Sequence, residues 1–114
     1  MDEKPKNIKK DFGERAVDRR KQLKLSQEEV AELSGVSKQT ISRMESGNQE
    51  ARATLIGDLS EALQVSTEYL IKGKRTEVDL QYLDRKLLEL SDEQYRFMED
   101  FIDSFVGLCA KGII

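Results

Sequence analysis

Lys38, Gln39, Ser42 and Arg43 carry the side chains best suited to chemistry in this chain, and that chemistry is recognition. At about 100° per residue these four share one side of a helical stretch. Ile41 and Met44 point the other way, with Thr40 and Glu45 at the flanks. Amide, hydroxyl and cationic donors at the leading end of a helix can read base edges, with Gln pairing adenine and Arg or Lys pairing guanine. An ordinary solvated helix face is polar and charged too. The spacing of Ala31, Gly35, Val36, Ile41 and Met44, which would position that helix, separates the two readings.

The positioning elements follow from the residues just upstream. Gln27 to Ser34 reads as a short helix with Val30, Ala31 and Leu33 facing inward. Gly35 supplies a turn, because glycine enters the left-handed region without steric cost. Val36 packs the corner, and Ser37 can cap the second helix by accepting from its first free N–H groups. Ala31 is small where the helices would cross. This is a helix-turn-helix layout, whose second helix is built to lie in a DNA major groove.

Three motifs, LSQEEVAELSGVS, ISRMESG and ALQVSTEYL, extend the pattern from roughly Phe12 to Gly73. In that order and spacing they resemble the phage repressor/Cro-like helix-turn-helix family, the xenobiotic-response-element type of bacterial regulator. The resemblance implies a five-helix repressor-like DNA-binding domain. It places Gln39 and Arg43 at base-contacting positions, with Lys38 at the start of the recognition helix and Ser42 on the same face. Gln27 matches a phosphate anchor, and Ser37, Ser46, Asn48 and Gln49 complete the candidate phosphate contacts. Arg20 and Glu45 match a partly buried ion pair between the first helix and the end of the recognition helix. One segment departs from the family: GNQEARAT puts Glu50 where it would repel a phosphate and Ala51 where proline is common. Asn48, Gln49 and Arg52 remain backbone-contact candidates there.

Composition fits a small all-α protein. The 114 residues include one proline, Pro5, and no tryptophan, and helix formers are abundant. No segment approaches the roughly 18 consecutive apolar residues that cross a bilayer. The N-terminal MDEKPKNIKKD lacks the apolar stretch of a secretory signal. Cys109 is the single cysteine, which excludes an internal disulfide and suits a reducing cytoplasm. Among apolar neighbours it reads as a small core residue. With no histidine, one cysteine and no glycine-rich phosphate loop, enzyme chemistry, a metal site and a cofactor are not expected. No small-molecule ligand is evident. Larger relatives of the phage repressors carry a self-cleaving peptidase domain, for which the last forty or so residues are too few.

The net charge of −3 divides unevenly. Residues 1–75 hold 15 basic and 13 acidic side chains, whereas residues 76–114 hold 4 and 9. Lys4, Lys6, Lys9, Lys10, Arg15, Arg19, Arg20, Lys21 and Lys24 all precede the motif. Such asymmetry fits a DNA-facing end and an acidic end turned away from phosphates. Lys4 to Lys10 read more readily as a solvated tail than as a DNA contact, since terminal residues are seldom ordered.

Along the chain seven helices are expected. The first runs from about Phe12 or Gly13 to Leu23, with Asp11 as a possible cap and Phe12, Ala16 and Leu23 inward. Ser26 with Glu29 forms a capping box for the second. The fourth spans about Thr54 to Gln64 around Leu55, Leu59, Ala62 and Leu63, and Ser66 caps a short fifth carrying Tyr69 and Leu70. Residues 1–10 then form a basic tail, 11–73 the DNA-binding domain and 74–114 a C-terminal helical hairpin.

In that hairpin Leu80, Leu83, Leu87 and Leu90 form a narrow seam of coiled-coil spacing. Ser91 with Gln94 caps a last helix whose apolar residues, from Tyr95 to Cys109, cover about half its circumference. That arc exceeds the stripe of about 100° that a helix needs for its own domain. Leu83, Leu87, Phe97, Phe101 and Phe105 are therefore candidate dimer contacts, the alternative being a hairpin folded back on the first domain. The sequence predicts a sequence-specific regulator of double-stranded DNA, a repressor acting as a homodimer on a two-fold operator. The competing class is an antitoxin-like module whose hairpin binds another protein.

Overall fold

The computed structural model describes residues 8–114, all of whose regular elements are helical. In chain order they are α1 (Ile8–Gln22), α2 (Gln27–Ser34), α3 (Lys38–Glu45), α4 (Ala53–Leu63), α5 (Thr67–Lys72), α6 (Glu77–Leu88) and α7 (Asp92–Ala110). Two compact units divide after Leu80.

In the first unit α1 to α5 enclose one core. Phe12 and Ala16 of α1 meet Val30 and Ala31 of α2, Ile41 and Met44 of α3, and Leu55, Leu59 and Leu63 of α4, with Val65 and Leu70 closing it. α1 also binds the ends of two other helices. Arg19 Nε donates to the Leu63 carbonyl at 2.9 Å, and Arg15 Nη1 donates to the Leu70 and Ile71 carbonyls, each at 3.1 Å. These carbonyls lack partners within their own helices, and a cation there also suits the helix dipole.

α1 begins earlier than its sequence suggests. Ile8 stands one turn before Phe12 on the same face, and nothing between them breaks a helix. Asp11 consequently lies in the first turn rather than at the cap, and Ile8 to Lys10 are helical. The remaining tail positions, Lys4 and Lys6 among them, lie outside the described residues. Leu33 is 61% exposed, contrary to expectation. Val30, Ala31 and Ser34 form the buried arc of α2, and Leu33 falls off it by about a quarter turn. Leu23 is only half-buried, and Leu25 packs on the core beyond it.

The junction after α5 is pinned within the first unit. Asp79 accepts from Ser66 N at 2.8 Å, Ser66 Oγ at 2.6 Å and Thr76 N at 2.9 Å, and Arg75 lies 3.6 Å away. The Arg75 guanidinium in turn covers the Tyr69 ring at 3.8 Å. Arg75, Thr76 and Asp79 thus lie within the first unit, which ends at Leu80.

In the second unit no residue of α7 is buried, and α6, which runs into it, has none either. Leu87, Tyr95, Met98 and Ile102 gather around a small cleft near the connection. Phe97 is 72% exposed, and the Phe101 and Phe105 rings stack at 6.4 Å in the open. Cys109 is exposed, not a core residue, because this unit encloses no core in a single chain. Among the described residues no helix is long and apolar enough to cross a membrane.

Candidate nucleic-acid interface

Local chemistry shapes the two helices of the motif. Ser26 Oγ accepts from Glu29 N at 3.0 Å while the Glu29 carboxylate accepts from Ser26 N at 3.1 Å, a complete capping box. α2 ends at Gly35, whose φ of 70° turns the chain, and Val36 N returns to the Ala31 carbonyl at 3.0 Å. Ser37 Oγ then accepts from Thr40 N at 3.1 Å and starts α3.

The rotation of α3 is set by Ile41 and Met44, both fully buried. Lys38, Gln39, Ser42 and Arg43 are left together on the exposed face. Burial of two large apolar side chains fixes this face far more firmly than the intrinsic helix propensity of eight residues could.

A polar lock secures the far end of α3. Glu45 accepts from Arg20 Nε at 2.8 Å, Arg20 Nη2 at 3.1 Å and Gln27 Nε2 at 2.9 Å. Arg20 also donates to the Leu25 carbonyl at 3.0 Å. The side chains of Arg20 and Glu45 are 14% and 5% exposed, so the bidentate pair is largely desolvated. One element of each helix α1, α2 and α3 therefore meets at a single carboxylate.

Gly13 completes the seating. A Cβ at this position would come within 2.6 Å of the Met44 and Glu45 carbonyl oxygens, so α1 lies directly on the last turn of α3. Sequence reasoning missed this residue. The available signal was a glycine inside a helix-forming run, where it lowers helix stability and so marks a close approach.

Hydrogen-bond bookkeeping limits what the flanking residues can offer. Gln27 gives one amide hydrogen to Glu45 and keeps a second for an outside acceptor. Ser46 Oγ donates its single hydrogen to the Arg43 carbonyl at 2.9 Å and accepts from Asn48 Nδ2 at 3.0 Å. Ser37 Oγ lies 3.0 Å from Thr40 Oγ1. Gln49 is half-buried beside exposed Glu50. Arg15, Arg19 and Arg20, three of the cations grouped before the motif, are bonded within the protein. The face toward solvent is therefore less cationic than the sequence count implied. Lys38 Nζ lies 2.9 Å from Glu28 Oε1, a pairing that sequence spacing alone did not reveal.

Residues 18–70 match the helix-turn-helix family model HTH_3. The chain is 38% identical over 74 residues to repressor protein C2 of Salmonella phage P22, a match that covers 65% of this chain. It spans about a third of the length of that repressor (34%). In the crystal structure of the P22 c2 repressor with a synthetic operator, the matching chain has 41% sequence identity and a TM-score of 0.54. That match covers 55% of this chain and 96% of the repressor chain. A chain from the SinR/SinI protein complex matches at 25% identity and a TM-score of 0.53. It extends over 84% of this chain and 98% of that one. With its motif, its capped α2–α3 pair and these relatives, the chain belongs to the phage repressor/Cro-like helix-turn-helix family.

Proposed function

We propose that this protein is a sequence-specific regulator of double-stranded DNA that represses transcription as a homodimer on a two-fold operator. The carrying observation is the rigidly seated α3, whose exposed face consists of Lys38, Gln39, Ser42 and Arg43. Gln39 and Arg43 read bases, with Lys38 and Ser42 beside them, and Gln27, Ser37, Asn48 and Gln49 meet the phosphates, whereas Ser46 gives its one hydroxyl hydrogen to the Arg43 carbonyl. Repression requires only that a bound protein occupy the site that polymerase needs.

The homodimer reading rests on the second unit. Burying one phenylalanine side chain stabilises by about 1.5–3 kcal/mol, and Phe97, Phe101 and Phe105 are all exposed in one chain. A second copy offers the same apolar surface, and a two-fold pairing places two recognition helices about 34 Å apart, one turn of DNA. The second reading, a hairpin that binds a different protein, is favoured by the match to a chain of a two-protein complex. Selection of bound fragments from genomic DNA tests the proposal. Enriched fragments should share paired, inverted half-sites one helical turn or a multiple apart. Absence of any enriched sequence would refute it.

A further inference from the structure

The first turns of α2 and α3 hold an ion pair that the fold does not require. Glu28 Oε1 lies 2.9 Å from Lys38 Nζ, and the two side chains are 67% and 57% exposed. A pair this open adds little to stability. Lys38 moreover stands at the positive end of the α3 dipole, where a cation is disfavoured. Glu28 brings a carboxylate next to the face that would meet a polyanion. Glu28, in the first turn of α2, suits the dipole of that helix, but neither packing nor dipole accounts for Lys38 in α3.

Building on the assignment of α3 as the base-reading helix, we infer that Glu28 is a positioning residue that sets specificity by holding the Lys38 ammonium at the mouth of α3. An ammonium carries three donors, so one bond to Glu28 leaves two for the acceptors on a guanine edge. A released lysine would swing on its long flexible stem toward the strongest negative potential, which on any duplex is the phosphate backbone. Phosphate contacts add affinity but no sequence information. Glu28 therefore keeps Lys38 available to bases and withholds it from phosphates. Its own charge further weakens binding to DNA of the wrong sequence.

The test compares the full chain with its Glu28→Ala variant, which removes the acceptor as well as the charge, on a selected operator duplex and a scrambled duplex across a salt series. Releasing Lys38 adds one phosphate contact, so on scrambled DNA the slope of log K against log salt should steepen by about 0.9. Scrambled-DNA affinity near 0.1 M salt should rise roughly threefold to tenfold, and the operator-to-scrambled ratio should fall. The thermal melt should move only slightly, because the pair is exposed and the lost carboxylate acts on the α2 dipole alone. In a Lys38→Gln background the same Glu28→Ala change removes only the repelling charge and should steepen the slope by clearly less. A wild-type slope in Glu28→Ala, or equal steepening without Lys38, overturns the inference. A wild-type protein that prefers no duplex at all would instead overturn the reading on which it rests.

Discussion

Removal of the Glu45 carboxylate should cost the first unit a large part of its stability. Glu45→Ala leaves Arg20 Nε, Arg20 Nη2 and Gln27 Nε2 without their shared acceptor, at bonds of 2.8, 3.1 and 2.9 Å. Truncating one partner of a buried ion pair costs about 3–5 kcal/mol, against 0–1 kcal/mol for an exposed pair. Arg20 keeps its bond to the Leu25 carbonyl and 14% of its side-chain exposure, so the lower end, about 3 kcal/mol, applies. For a unit of roughly 80 residues that corresponds to a fall in Tm of about 12 °C or more. Glu45→Gln keeps an acceptor but loses the charge, and should fall in between, by about 1–2 kcal/mol. Urea melts of both variants at one fixed protein concentration measure these values, since any association makes stability concentration-dependent. A Glu45→Ala midpoint within 1 kcal/mol of wild type, at unchanged m, would refute a desolvated lock.

Three further outcomes follow from the same geometry. Gly13→Ala should destabilise by about 1–3 kcal/mol despite alanine's higher helix propensity, because the new Cβ meets two backbone carbonyls; a stabilised variant would show that α1 does not press on α3. Burial alone would raise the Asp79 carboxyl, but the bonds from Ser66 and Thr76 and the charge of Arg75 outweigh it and hold the group below its ordinary value of 3.8. A depressed folded-state pKa gives stability that is full above the unfolded value and lost as pH falls through the folded one. Melts of wild type should therefore weaken below about pH 4, and Asp79→Asn should flatten that acid limb; identical limbs would contradict the clasp. Phe101→Glu combined with Phe105→Glu should yield a monomer by light scattering with a helical, folded first unit, whereas a full-length wild-type monomer at micromolar concentration would rule out the homodimer.

Much of the motif was legible because its determinants are local. A capping box joins positions three apart, so Ser26 with Glu29 and Ser91 with Gln94 could be read directly from the chain. The same holds for Ser37, Ser66 and the turn at Gly35. Ile41 and Met44 followed from helical period alone. What escaped the reading depends on partners remote in sequence. Asp79 meets Ser66 across 13 residues, and Arg15 meets Leu70 across 55. No periodicity reports which cation will turn inward, so the sequence groups Arg15 and Arg19 with the DNA-facing cations although both donate to helix-end carbonyls. Leu33 failed for a different reason: on a two-turn helix, hydrophobicity could not tell which flank of Val30 meets α4, and Ser34 took that place. Cys109 was misplaced because an apolar neighbourhood in sequence implies a core only where the chain can enclose one.

Whether α3 reads bases is the central question, and affinities of Gln39→Ala and Arg43→Ala on matched duplexes answer it most directly. Fluorescence anisotropy would record binding of each variant to the selected operator and to a scrambled duplex at one salt concentration. Each substitution should cost about 1–3 kcal/mol on the operator and leave binding to the scrambled duplex almost unchanged. Equal losses on both duplexes would contradict the account, because they would make these two side chains phosphate anchors.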